Sequence, residues 1–393
     1  MADTSESEIG TECLCKASTF SFVLYSSCLP LPHNLCHCNT CRYTSGTLCT
    51  SYAVLPFSAY WSGPELSTLT CYKSSATLER YFCTTCGSHM FAHNLESGEW
   101  EIATGAITQS AGVTGIISHV HVSDTRDGGF SDWLPSTSSR PLTRWSHEAN
   151  TSSPLPAGWR EAPQPAIGST PDTLNARCHC IAIRFSVSRP TTQSSTFTAP
   201  WPDLIVPYFT NPSGVPTSQE KWWLRSNGTK YLAGTCTCRS CRVAAGNAEV
   251  VEWAFVPACN ISITDTDVPS VLPGMLHREG EYFPKPLHTN IEGLTTYRSS
   301  DHATRHFCAT CGASVFWSSP GRPELIDVAV GLFDAPEGAR AEGWLEWWTE
   351  RVSFGEEAEA GERDGGFVGD LIEGLRLWEE GRGEREEEAR VSG

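Results

Sequence analysis

The sequence has no continuous apolar run approaching the roughly 20 residues of a membrane-crossing helix. Its first stretch, MADTSESEIGTECLCK, is acidic and lacks the apolar centre of a secretion signal. The expected compartment is therefore a reducing one, the cytoplasm, with the nucleus as the other open to it. Positive charge is scarce: 28 Lys and Arg face 45 Asp and Glu, a formal net charge of −17. That balance argues against direct binding to nucleic acid or to an anionic membrane. The excess is local, because residues 355–393 hold 13 acids against 5 arginines. Charged residues are only 19% and hydrophobic ones 39%, so most of the 393 residues should fold. At about 150 residues per domain, that length leaves room for two or three domains.

Cysteine is not scarce. There are 18, and they recur in one order twice. Cys13 and Cys15 form a C-x-C, Cys36, Cys38 and Cys41 a C-x-C-x-x-C, and Cys83 and Cys86 a C-x-x-C before Gly87. Cys178 and Cys180, then Cys236, Cys238 and Cys241, then Cys308 and Cys311 before Gly312 repeat that order. The flanks agree: Arg42 and Gly46 match Arg242 and Gly246, LTCYKSS matches LTTYRSS, and TRDGGF around Asp127 matches ERDGGF around Asp364. The chain reads as a tandem duplication. The domains expected are 9–134 and 174–371, with a Pro/Ser-rich linker at 135–173 and an acidic tail at 372–393. Trp145 and Trp159 of the linker are candidates to dock on a domain. The second copy carries insertions at about 191–226 and 260–290.

The expected fold class is mainly β. ARCHCIAIRFSV alternates apolar and polar residues, and the short segments Ala53–Leu55, Ile102–Ala103, Val251–Phe255 and Leu325–Val330 are β-prone. One helix is expected, near 369–389, with Leu371, Ile372, Leu375 and Trp378 along one edge of an otherwise solvated surface. The two glycines after Asp127 and after Asp364 predict tight turns at positive φ.

In a reducing compartment, spaced cysteines point to metal or catalysis rather than disulfides. Zinc takes four ligands in a tetrahedron. Pairing each C-x-C with its C-x-x-C gives two closed sites: Cys13, Cys15, Cys83 and Cys86, and Cys178, Cys180, Cys308 and Cys311. Each triplet then supplies three ligands and leaves the fourth coordination position to a substrate, the layout of a catalytic zinc. The expected load is two zinc ions per domain and four per chain. A fourth ligand such as Cys49 or His37 would instead make the triplet a second structural site. Three cysteinates give a negative ligand shell; Arg42 and Arg242 are read either as its counter-charges or, equally, as surface residues. His89, His93, His119 and His121 are read as packed or surface residues before ligands, and Cys28, Cys49, Cys71 and Cys259 as small buried hydrophobes.

With both cysteine sets placed, the chain resembles the glutathione-dependent formaldehyde-activating enzyme family, also called the centromere protein V family. The resemblance runs over roughly 9–134 and 174–371. It implies a zinc-stabilised β-tent fold of small antiparallel sheets, one structural four-cysteine zinc and one working three-cysteine site per domain. It also implies carbon–sulfur lyase chemistry on a glutathione adduct, with Cys36, Cys38 and Cys41, and Cys236, Cys238 and Cys241, at the reacting centres. The expected partner is a small-molecule thiol such as glutathione. The competing expectation is a non-catalytic zinc module that binds a protein.

Overall fold

The computed structural model describes residues 5–56, 60–62, 66–109, 112–162, 172–199, 203–207, 221–263, 270–271, 291–359 and 365–392. Most of the second expected insertion, together with Asp364, lies outside these residues.

Each half builds one small sheet and one large sheet. In the first half, Glu6–Glu12 pairs with Thr19–Tyr25, which pairs with Tyr60–Ser62. The large sheet runs in the order Thr143–Arg144, Thr114–Val120, Leu31–Cys36, Thr50–Val54, Trp100–Ala103, His89–Asn94, Leu78–Cys83, Leu69–Lys73. The second half repeats that path from Lys230–Cys236 through Val251–Pro257, Leu325–Ala329, Ser314–Ser318 and Ala303–Cys308 to Leu294–Ser300. Even the parallel neighbour is repeated. Leu31–Cys36 lies parallel to Thr114–Val120, and Lys230–Cys236 lies parallel to Leu345–Trp347. The fold is mainly β, as expected, and the triplet ends the same strand in both copies.

Several expectations are corrected locally. ARCHCIAIRFSV is not one strand but a hairpin, Thr173–Arg177 against Arg184–Ser188, with the C-x-C in its turn. Ile181 sits there at φ 59°, and Lys16 holds the equivalent place at φ 61°. The second DGG also differs from the first. Gly128 and Gly129 take φ 83° and 52°, while Gly365 and Gly366 open the C-terminal helix Gly365–Ser392. That helix is longer than expected and is not merely solvated. Phe367, Val368, Leu371, Leu375 and Trp378 are buried, and Trp378 meets Trp133 edge-on at 5.8 Å. Ile372 faces solvent. Part of the Pro/Ser-rich stretch is also structured, since Thr143–Arg144 extends the first large sheet. Trp145 and Trp159 are half-buried.

The halves meet about a pseudo-two-fold axis. The equivalent rings of Phe82 and Phe307 face each other at 6.5 Å. Arg42 donates to the carbonyls of Gly331 and Phe333 at 3.0 and 2.6 Å, and Arg242 donates to those of Gly105 and Ile107 at 2.7 and 3.2 Å. This reciprocity corrects the sequence reading of both arginines. They are buried and tie one half to the other rather than facing the sulfurs of their own triplets. Gly46 and Gly246 make the approach close. Both end their helices at positive φ, and a Cβ on either would lie about 2 Å from a carbonyl of the other half, Ser314 O or His89 O. A second knot is ionic. Arg340, fully buried, donates from its backbone N–H to Asp127 at 2.8 Å and from its guanidinium to Asp132 at 3.1 Å, so the first DGG turn is held by a residue of the second half.

Glu252 lies in the same seam. It is fully buried and accepts the Leu48 N–H at 2.9 Å. Burial pushes its carboxyl up to about 8 from an ordinary 4.5. The folded state therefore holds this proton while the unfolded chain releases it. Stability from the protonated form is complete below 4.5 and declines as pH rises through 8. Glu252→Gln, neutral at every pH, should gain stability relative to the wild type between pH 5 and pH 8. The gain should be a few kcal/mol at most, at about 1.4 kcal/mol per pH unit of displaced titration. Urea midpoints of both chains at the two pH values measure it, and a pH-independent difference would contradict it.

Candidate metal centres and the cavity beside one of them

The C-x-C of each half sits in a hairpin turn. Its C-x-x-C-G closes another turn, in which the Gly87 and Gly312 N–H groups donate to the Cys83 and Cys308 carbonyls, each at 2.9 Å. The two turns meet. The sulfurs of Cys13, Cys15, Cys83 and Cys86 all lie within 4.8 Å of one another, as do those of Cys178, Cys180, Cys308 and Cys311. Sulfur–sulfur distances of 3.4 and 3.6 Å in the first group, and 3.4, 3.5 and 3.8 Å in the second, are far too long for disulfides. They are close to the edge of about 3.8 Å of a tetrahedron with zinc–sulfur bonds near 2.3 Å. The donor sets therefore fit a zinc ion.

The triplets form at a strand–helix junction. Cys36 ends the strand Leu31–Cys36. Cys38 caps the helix Asn39–Ser45, its sulfur accepting the Cys41 N–H at 3.3 Å. Cys236, Cys238 and Cys241 repeat this on Lys230–Cys236 and Arg239–Ala245, with the cap at 3.2 Å. Within each triplet the sulfurs again lie inside 4.8 Å, and among the described residues no fourth donor joins either group. His37, between two of the cysteines, pairs instead with His119 at 2.9 Å, and His119 with the Leu134 carbonyl at 2.9 Å. His89 bonds the Thr44 carbonyl, His93 stacks on Trp100 and His121 pairs with Glu148. Of the cysteines outside the groups, Cys49 is buried, Cys28 and Cys259 are half-buried, and Cys71 is exposed, which corrects the expectation that all four are core residues.

The cation beside each triplet is an arginine that sequence reasoning did not single out. Arg80 donates to the Cys41 sulfur at 3.1 Å, and Arg305 lies 3.6 Å from that of Cys241 while donating to Ser240 at 3.1 Å. Both are buried. The available signal was an arginine three residues before each C-x-x-C. Hydrogen bonds from Cys36 and Cys38 hold the Cys41 thiol well below its ordinary value, and the Arg80 charge adds to this. Cys36 is pushed well above it by the same sulfur contacts and by burial. Cys241 and Cys236 divide in the same way. One thiolate per triplet is thus stabilised by the protein's own groups, and the others call for a cation.

A cavity of about 510 Å³ opens beside the second triplet. Cys236, Cys238, Cys241 and Arg305 form part of its wall. Leu204 and Asp203, from the first insertion, form another part. Asp203 anchors that insertion, because it accepts from the Arg351 guanidinium at 2.7 Å and from the Phe354 N–H at 2.8 Å.

The tyrosines of the two Y-x-S-S stretches also cross the seam. The Tyr72 hydroxyl meets the His179 ring at 2.7 Å, inside the second C-x-C, and Tyr297 packs against the core cluster that contains Cys13, Cys83 and Cys86. The four-cysteine group of each half is therefore covered by the other half. In the metal-loaded chain, iodoacetamide should modify exposed Cys71 before any of the fourteen grouped cysteines, and chelation should make the grouped ones reactive. Peptide mass mapping reads this, and equal labelling of Cys15 and Cys71 before chelation would contradict it.

Among the described residues, no helix is long and apolar enough to cross a membrane. No curated protein matches the chain. Residues 8–122 and 288–351 match the family described as glutathione-dependent formaldehyde-activating enzyme. The first stretch contains the first four-cysteine group and the first triplet, and the second contains Cys308 and Cys311 of the repeated copy. With the same strand order and cysteine geometry in both halves, the two matched stretches are consistent with a two-part protein similar to the glutathione-dependent formaldehyde-activating enzyme family.

Proposed function

We propose that the protein is a zinc-dependent carbon–sulfur lyase acting on a thiol adduct, of the type formed when glutathione adds to formaldehyde. The observation that carries this reading is the second triplet, three sulfurs at the wall of a cavity of about 510 Å³. In it Cys13, Cys15, Cys83 and Cys86, with Cys178, Cys180, Cys308 and Cys311, hold structural zinc. Cys36, Cys38 and Cys41, with Cys236, Cys238 and Cys241, hold the working ion. Zinc bound there stabilises the thiolate form of a substrate thiol. In the cleavage direction the carbon–sulfur bond breaks and its electron pair stays on sulfur. The hydroxyl proton passes to solvent as the carbonyl forms, leaving the aldehyde and the thiolate. The protein's part is positional and electrostatic. Arg80 and Arg305 offset charge gathered on sulfur, and the cavity walls exclude water from the adduct.

Zinc-loaded chain should speed the combination of glutathione with formaldehyde. The double variant Cys38→Ser/Cys238→Ser should lose about 100-fold or more of that rate while its unfolding free energy from urea titration stays within about 1 kcal/mol of the wild type. Cys83→Ser, which opens a four-sulfur group, should instead cost about 2 kcal/mol or more. Undiminished turnover in the double variant would sink the lyase reading and leave a zinc module that binds a partner.

A further inference from the structure

The two triplets share their cysteines and their arginine, but the strands around them have diverged. Register fixes the equivalences. Cys36 lies opposite Thr50 as Cys236 lies opposite Val251, so Tyr52 and Val54 correspond to Trp253 and Phe255. Arg80 lies opposite Ala92 as Arg305 lies opposite Trp317, so Ala92 corresponds to Trp317. Trp253, Phe255 and Trp317 all line the second cavity. Three apolar or aromatic rings thus stand where the first half has one tyrosine, a valine and an alanine.

The insertion adds to the same wall. Leu204 packs in a cluster with Phe255, and Phe354 completes the apolar lining. Asp203 fixes this segment through Arg351, so the wall is built into the fold. A cavity of about 510 Å³ is in the range that encloses a multi-ring organic ligand, far more than a one-carbon group needs.

The charges at the cavity are already matched. Arg322 pairs with Asp327 at 2.9 Å and stacks over the Trp317 ring at 4.9 Å. Arg305 is committed to Cys241 and Ser240. The two arginines face Asp203, Asp327 and Glu357, leaving no surplus positive charge to select a ligand by its carboxylates. Two polar groups beside the triplet, the Arg305 Nε and the Thr235 hydroxyl, are uncommitted among the described residues. The hydroxyl of Thr235, next to Cys236, is buried and has no hydrogen-bond partner among the described residues, and the equivalent position in the first half is Leu35.

We propose that the second-half site selects thiol adducts carrying an aromatic or branched apolar group of about benzyl size, and that the first-half site does not share this selectivity. The proposal rests on the reading of the triplets as thiol sites. The apolar group belongs either to the thiol or to the carbonyl carbon, and the surface that recognises it is the same.

The test is calorimetry on the zinc-loaded full chain with benzyl mercaptan, 2-mercaptoethanol and glutathione, with tryptophan emission followed in parallel. Glutathione mixed with phenylacetaldehyde is compared with glutathione mixed with formaldehyde. Benzyl mercaptan, or the phenylacetaldehyde mixture, should bind about tenfold or more tightly than its small counterpart and quench tryptophan emission. Preference in the first pair places the apolar group on the thiol, and preference in the second places it on the carbonyl carbon. Trp317→Ala and Phe255→Val, which restore first-half residues, should each remove most of that preference at unchanged zinc content. Equal affinities within both pairs, or a preference that survives both variants, would overturn the proposal. Binding of no thiol at all would overturn the lyase reading beneath it.

Discussion

Three or four cysteine sulfurs held within 4.8 Å of one another cannot all ionise unless a positive charge sits among them. The rest of the molecule is arranged around that constraint. Each four-sulfur group joins two turns distant in the chain, so an ion there closes a hairpin onto a sheet. Each three-sulfur group lies at one strand–helix junction, needs less chain to assemble it, and receives a buried guanidinium from the strand that leads to the C-x-x-C. The division of labour follows. In the proposed reading, an ion in the groups made from distant segments contributes folding energy, and an ion in the groups made locally keeps a position for a ligand.

The halves are coupled where their cysteine groups are. Arg42 and Arg242, one residue beyond each triplet, take carbonyls of the opposite half, and Tyr72 and Tyr297 cover the opposite four-sulfur groups. Gly46 and Gly246 allow the backbones to meet closely enough for those bonds. Disturbing one cysteine group therefore acts on both halves. The symmetry is incomplete in a useful way. Backbone and sulfur geometry repeat, while the walls over the triplets do not.

Much of this was legible because cysteine spacing is a short-range signal. C-x-C, C-x-x-C and C-x-C-x-x-C each describe a single turn, and their repetition in order identified both halves and the sets that come together. What failed were residues whose roles depend on distant chain. Arg42 and Arg242 looked like counter-charges because they adjoin the triplets, but their partners are about 290 and 140 residues away. Arg80 and Arg305 were passed over although each stands three residues before a C-x-x-C, because on a strand that spacing does not show which sulfur the side chain will reach. The C-terminal helix was visible from its apolar period. Its docking on Trp133 was not, because a greasy edge alone does not name its partner. The second DGG misled for a similar reason: two glycines permit a left-handed turn without requiring one.

The central claim is that each half carries one closed four-sulfur site and one three-sulfur site able to take an exogenous thiol. Native mass spectrometry of the full chain, with and without glutathione, tests it most directly because it counts ions and captured thiol together. Four zinc ions per chain are expected, with glutathione retained by the wild type and lost when Cys38 and Cys238 are both replaced by serine. Two zinc ions per chain, or glutathione retained by the double variant, would contradict it.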